Sequence, residues 1–198
     1  MSFLKKGLCV GLAALAFGLG IAHHSLEASQ YSFEPIVKVF PSGNGIAIWQ
    51  SYDDSGNFYI QSNLLTSGTW GTPTVISSTS YYTLNHLLAV DAANNAVTTW
   101  IGVDSSTGIA SLYGVTYRAG SGWGTPELIS DSGLDVSDGY VPQYSLHLHD
   151  TATGSVALVA WGEYDSTFSF INVFSSSIVY TTLFGWGSWS APAQASSS

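Results

Sequence analysis

From Ile36 onward the chain breaks into short runs in which apolar residues alternate with polar ones or stand together, each closed by Gly, Asn, Asp or Pro. Runs of this length, bounded by turn-forming residues, predict β-strands joined by hairpins. The first group reads Ile36-Val37-Lys38-Val39, a Gly43-Asn44 turn, Ile46-Ala47-Ile48-Trp49, a turn over Asp53-Asp54-Ser55-Gly56-Asn57, Tyr59-Ile60-Gln61-Ser62, and a closing Gly68-Thr69-Trp70-Gly71-Thr72-Pro73-Thr74-Val75-Ile76-Ser77. Four strands in that order predict one small antiparallel sheet.

The group recurs. A second copy runs through Leu87-Leu88-Ala89-Val90, Asn94-Asn95, Ala96-Val97-Thr98-Thr99-Trp100, Asp104 to Gly108, Leu112-Tyr113-Gly114-Val115 and Gly122-Trp123-Gly124-Thr125-Pro126-Glu127-Leu128-Ile129-Ser130. A looser third contains Leu146-His147-Leu148, Thr153-Gly154, Ala157-Leu158-Val159-Ala160-Trp161, Ile178-Val179-Tyr180-Thr181 and Gly187-Ser188-Trp189-Ser190-Ala191-Pro192. The corresponding Trp49, Trp100 and Trp161 stand 51 and 61 residues apart, and most of the third unit's excess falls between Asp165 and Ser177, read as a long loop. A four-strand group recurring at this period predicts propeller blades, whereas a sandwich spaces single strands without requiring the group to recur. The expected fold is all-β: three four-stranded antiparallel blade-like repeats, a partial β-propeller, over about 35–77, 87–130 and 144–196. The first strand of each unit would line a central channel, and Trp49, Trp100 and Trp161 would be core. Each Trp-x-x-Pro would lead into an outer strand, where proline is tolerated.

On these segments the chain resembles bacterial secreted propeller repeat proteins, distantly related to the sialidase-type (BNR) repeat family, in which a Gly-x-x-Trp-x-x-Pro segment ends each blade. The resemblance covers roughly Pro35 to Ser196. It implies the architecture. The family's Asp box, Ser-x-Asp-x-Gly-x-Thr-Trp, is not intact, because Thr66-Ser67-Gly68-Thr69-Trp70 keeps its end and lacks the aspartate. Sialidase-like enzymes hold a substrate carboxylate with several arginines, since a planar cationic fork pairs a carboxylate bidentately. Arg118 is the single arginine.

Residues 1–28 read as a signal peptide and short leader. Lys5 and Lys6 precede an uncharged, largely apolar run from Gly7 to Ala22, and small residues stand at Ala22 and Ala28, the two candidate cleavage points. The run is too short and too rich in glycine for a membrane span, so the expected product, which begins after either Ala22 or Ala28 and carries the repeats within residues 29–198, is secreted or held in the cell envelope with no membrane insertion after cleavage. Cys9 is the one cysteine and would leave with the leader, which excludes a disulfide framework. Four Lys+Arg against 13 Asp+Glu give a formal net charge of −9. That balance argues against nucleic acid as a partner.

Candidate chemistry is sparse. The sequence holds no Gly-x-Ser-x-Gly elbow, phosphate loop or dinucleotide fingerprint, and no cofactor is expected. Asp53, Asp54, Asp104 and Asp165 fall in hairpin turns, where Asp bonds its own backbone; the alternative is a pair of glycosidase carboxylates. His147 and His149 alternate on one strand face with Asp150 next to them, a candidate metal site without a third ligand at diagnostic spacing. Trp70, Trp123, Trp186 and Trp189 sit beside glycines at blade edges. Such rings stack on sugars when exposed and fill gaps between blades when not. Fucose-binding propeller lectins resemble this arrangement in having short Trp-rich blades, although their sugar-holding arginine has no regular counterpart here.

The leading expectation is a secreted, non-enzymatic propeller-type protein that binds an extracellular protein or glycan, with a glycoside hydrolase or lyase-related fragment, or an inactive structural repeat protein, as alternatives. Three blades form an open arc where closed propellers use about 4 to 8. Either two chains join as a homodimer into a six-bladed ring, or the chain is a shortened relative of a longer protein. The apparent decay of the last outer strand into Ala193-Gln194-Ala195-Ser196-Ser197-Ser198 favours the second.

Overall fold

The computed structural model describes residues 31–77, 81–104, 106–130, 144–164 and 171–196, and no helix occurs among them. The expected signal segment and Asp165 lie outside the described residues. Blade 1 holds β1 (Tyr31–Val39), β2 (Gly45–Tyr52), β3 (Phe58–Thr66), β4 (Thr69–Trp70) and β5 (Thr74–Val75). Blade 2 holds β6 (Tyr81–Val90), β7 (Ala96–Asp104), β8 (Ala110–Arg118), β9 (Gly122–Trp123) and β10 (Glu127–Leu128). Blade 3 holds β11 (Tyr144–Thr151), β12 (Gly154–Tyr164), β13 (Ile171–Thr181), β14 (Gly185–Trp186) and β15 (Ala193–Gln194).

Every blade is an antiparallel sheet in which three long strands follow one another and the third pairs with two further pieces of two residues each. The expected fourth strand is therefore split. Pro73, Pro126 and Pro192 stand in the gap between the pieces, where a residue without an N–H leaves no ladder bond unmade. Past the gap, Ile76 N–H donates to Ile60 O, Ile129 N–H to Leu112 O, and Ala195 N–H to Val173 O (2.9, 2.7 and 2.7 Å). A serine then closes each blade: Ser77, Ser130 and Ser196 Oγ accept the N–H of Ile60, Leu112 and Val173 at 2.8, 3.0 and 2.9 Å.

That repetition corrects two expectations. The Ala193-Gln194-Ala195-Ser196 segment is a formed outer strand with its serine clasp, because pairing uses backbone groups that alanine supplies as well as isoleucine. The stretch read as a loop up to Ser177 is strand from Ile171, paired with β12 so that Ile171 faces Tyr164 and Ser177 faces Leu158.

Alternation divides each sheet into two faces. Trp49, Trp100 and Trp161 mark the leading face, turned toward the preceding blade; the opposite face is trailing. Blade 1's trailing Ile46, Ile48, Ile60 and Ile76 pack with blade 2's Leu88, Ala96, Trp100, Val115 and Tyr117. Blade 2's trailing Ile101, Leu112 and Ile129 pack with Val159 and Trp161, and Val97 packs with Ala157 and Ile178. Trp100 and Trp161 are thus buried, at 2% and 1% exposure. Trp49 departs from the core expectation. It is half-buried, with no other blade against it among the described residues, and its Nε1–H donates to Gln61 Oε1 at 3.1 Å.

The inner strands touch in sequence, β6 against both β1 and β11. β1 and β6 share an irregularity facing the blade tryptophan: register shifts at Glu34-Pro35 and Asn85-His86, with Glu34 and Asn85 at φ 50° and 44°. The carbonyls so turned out latch the joints. His86 Nε2 bonds Glu34 O at 2.7 Å, and the Tyr144 hydroxyl donates to Asn85 O. Burial pushes the His86 pKa down and the Tyr144 pKa up.

Candidate functional site

Where blade 1's outer rim meets blade 2, a cleft of about 450 Å³ is lined by Trp70 and Trp123 together with Ser62, Asn63, Thr66, Thr69 and Thr72. The hairpins explain the placement. Trp70 pairs with Leu65 and Trp123 with Tyr117, so each tryptophan hangs on a two-residue strand at the edge of its sheet. Trp70 is 39% exposed. Trp123 is half-buried, its ring 5.4 Å from that of Tyr117 in an edge-on arrangement.

The wall between them is polar and uncharged. Asn63 Nδ2 donates to Gly71 O at 2.9 Å, which fixes the β4–β5 link over the cleft floor. Ser62 is 2% exposed, and its Oγ has no hydrogen-bond partner among the described residues. A buried hydroxyl left unpaired costs on the order of 1–3 kcal/mol, so such groups call for an explanation. No carboxylate, lysine or arginine lines the cleft. Arg118 stands elsewhere, its guanidinium against Gly185 of blade 3.

The second joint holds a different arrangement at the matching place. Ser62 lies opposite Ile48 and Gly114 opposite Thr99, each one residue before the blade tryptophan, so the two positions correspond. A Cβ on Gly114 would stand 2.7 Å from Ile129 Cδ1 and 3.1 Å from the Trp189 ring. The link between the two outer pieces runs 71–73 in blade 1 and 124–126 in blade 2 but 187–192 in blade 3, and the longer link carries Trp189 to Gly114. Strand pairing therefore makes Trp186 the counterpart of Trp70 and Trp123, in place of Trp189, which Trp-x-x-Pro spacing alone had suggested. Trp186 Nε1–H donates to Tyr117 O at 3.1 Å, across the same joint. Of the four candidate tryptophans, two line one cleft and two pack between blades 2 and 3.

His147 and His149 sit on the exposed side of β11, opposite Leu158 and Val156. Asp150 is engaged instead with blade 2: its Oδ1 accepts Ala92 N–H at 3.1 Å and the Ser155 hydroxyl at 3.3 Å. Among the described residues no three His, Cys, Asp or Glu side chains gather so as to hold a metal ion. The turn aspartates bond locally. Asp53 Oδ1 accepts the N–H of Ser55 and Asn57 (2.9 and 3.0 Å), and Asp104 Oδ1 those of Ser106 and Thr107 (2.8 and 3.0 Å). Hydrogen bonds from the Asn57 and Ser106 side chains, foremost among these contacts, hold both carboxyls below the usual range.

The sequence singled out Trp70 and Trp123, which line this cleft, and did not single out Ser62, Asn63 and the threonines beside them. The available signal was the Ser62/Gly114 difference between aligned repeats, which becomes meaningful only when Trp189 is known to cover Gly114.

No protein-family model matches the chain, and no curated protein does. Among solved structures it is similar to the Hadza microbial sialidase Hz136, with a TM-score of 0.51 and 12% sequence identity, covering 83% of this chain. The chain spans 38% of that protein's length. At this identity the likeness concerns the fold alone, a propeller-type architecture.

Proposed function

We propose that this is an exported, non-enzymatic propeller-type protein that binds an extracellular ligand in the Trp70–Trp123 cleft, and that the ligand is an uncharged glycan. The observation that carries the reading is a cleft whose lining includes Trp70, Trp123 and hydroxyl and amide groups but no charged residue. Sugar C–H faces stack on aromatic rings while sugar hydroxyls need neutral donors and acceptors, and the exposed Thr66, Thr69 and Thr72 supply these. The way Trp189 covers Gly114 supports a flat ring as occupant, because a ring already seats at the matching position of the neighbouring joint. The absence of charge from the wall disfavours an anionic sugar, which would call for a guanidinium.

The test uses the purified exported chain on a glycan array, with a panel of chromogenic glycosides alongside. Binding of neutral glycans, weakened about tenfold or more by Trp70→Ala, is expected, since loss of a stacking anchor costs at least ~1.4 kcal/mol. Trp70 is partly exposed, so the variant keeps its fold. Turnover of a glycoside, abolished by a single carboxylate substitution, would overturn the non-enzymatic reading. An array without neutral-glycan binding would overturn the ligand.

A further inference from the structure

The two ends of the arc carry the same residue positions that the two internal joints bury. On the trailing side, position by position, Ile46, Val97 and Leu158 correspond, each three residues before its blade tryptophan. Ile60, Leu112 and Val173 also correspond, each opposite the residue after that tryptophan. Ile46, Val97, Ile60 and Leu112 are fully buried, whereas Leu158 and Val173 are 47% and 40% exposed. On the leading side Val37, Leu88 and Leu146 correspond, as do Val39, Val90 and Leu148. Leu88 and Val90 pack into the first joint and Leu146 and Leu148 into the second. Their blade 1 counterparts Val37 and Val39 are 45% and 66% exposed, beside the half-buried Trp49.

We infer that the trailing face of blade 3 of one protomer seats on the leading face of blade 1 of a second copy, forming a third kind of joint on the pattern of the first two. The occupant follows from continuity. Leu158 and Val173 stand where Ile46 and Ile60 meet Leu88 and Trp100, and Val37, Val39 and Trp49 stand where Leu88, Val90 and Trp100 receive them. A joint between unlike faces is heterologous, and it ends in a closed ring only if the rotation closes. With the three described blades from each protomer, two protomers make six blades, within the range of about 4 to 8 that propellers use, whereas three protomers would make nine. Closure therefore selects two copies, each supplying one of the two new joints.

The new joint is weaker than the internal ones. β11 pairs without a register shift from Tyr144 to Thr151, so among the described residues blade 3 offers no turned-out carbonyl like those of Glu34 and Asn85. Ala195 replaces the buried Ile76 and Ile129 at the last apolar position. Two strongly acidic chains, with Lys38 and Arg118 as their Lys and Arg after export, also repel, a term that salt screens. The dimer is expected to dissociate on dilution and to tighten as salt rises.

Light scattering and sedimentation on the exported chain test this, with Val39→Lys and Leu158→Lys as variants. Both positions are exposed and both changes lower the negative charge, so neither misfolding nor added repulsion explains a loss of association; unchanged thermal melting of the dilute variants checks the fold. Twice the chain mass is expected for the native protein and the single-chain mass for each variant alone. Mixing the two variants should restore a two-chain species, because Val39→Lys leaves one blade 3 face intact and Leu158→Lys leaves one blade 1 face. A native monomer at the highest soluble concentration, a dimer that both variants leave intact, variants that fail to complement, or assembly beyond two chains would each overturn the inference.

Discussion

At the scale of single residues, the environment of a side chain depends on which joint it faces more than on its type. Trp49 and Trp100 hold matching positions, yet Trp100 is buried among Ile46, Ile48 and Ile60 while Trp49 is half-buried and joins no inter-blade core among the described residues. Trp100→Ala is expected to lower stability by about 3–5 kcal/mol, as for large buried aromatics, and Trp49→Ala by roughly half of that or less. Urea unfolding of the two variants at a concentration where the chain is monomeric checks the difference; equal losses would mean that blade 1's leading face is covered after all. The titrating residues add a pH signature. His86 is buried with a lowered pKa, so its contribution to stability is present above the unfolded value of 6.5 and is lost as pH falls through the folded one. Asp53 and Asp104 are also depressed, which places their contribution above the unfolded value of 3.8 and its loss at still lower pH. Melting temperature should therefore fall in two stages on acidification. His86→Gln should remove the first stage and leave the second, measured by calorimetry between neutral and acid pH.

At the scale of elements, the repeated device is the split outer strand and its serine clasp. Ser130 Oγ accepts the N–H of Leu112, a residue with no exposed surface, so Ser130→Ala strands a buried donor at a cost of about 1–3 kcal/mol. Ser196→Ala should cost less, because the Val173–Ser196 bond lies at the exposed end of the arc. A thermal-shift comparison of the two variants decides it, and a larger loss for Ser196 would contradict the burial argument. The clasp also marks what the amino-acid pattern could disclose. The strand order and the burial of Trp100 and Trp161 follow from alternation and turn residues, because a strand with one covered face repeats every two positions. The outer pieces were harder to read, since two paired residues carry almost no periodicity. The last of them, Ala193-Gln194, is followed by Ala195 where the other two blades have Ile76 and Ile129. β13 looked like a loop because Ser175, Ser176 and Ser177 dilute its apolar pattern, while its pairing with β12 is carried by backbone groups. The cleft was half legible: tryptophans announce themselves, whereas Ser62 and the threonines take their meaning from a neighbouring blade that sequence spacing does not position.

At the scale of the whole molecule, the described chain is a linear array in which blade 2 is coupled to both neighbours. Stability in such arrays is approximately a sum of unit terms and nearest-neighbour joint terms, so the unit with two joints opens least. β7 is buried from Ala96 to Gly102, whereas β1 is largely exposed along its described side chains and β11 alternates between partly covered and open positions. Amide hydrogen exchange should accordingly be slowest in β7 and β8 and faster in β1 and β11 of the dilute protein. Raising the concentration separates the array from the ring. If blade 3 of one copy seats on blade 1 of another, protection in β1, β2, β12 and β13 rises with concentration toward that of blade 2, because each end gains the joint it lacked. β7 already has both joints and should change little. Exchange that is independent of concentration at the ends, with β7 still slowest, would leave an open three-bladed array as the solution state. Uniform protection across all three blades in the dilute protein would instead show that the units unfold as one block, and that the joints outweigh the blades themselves.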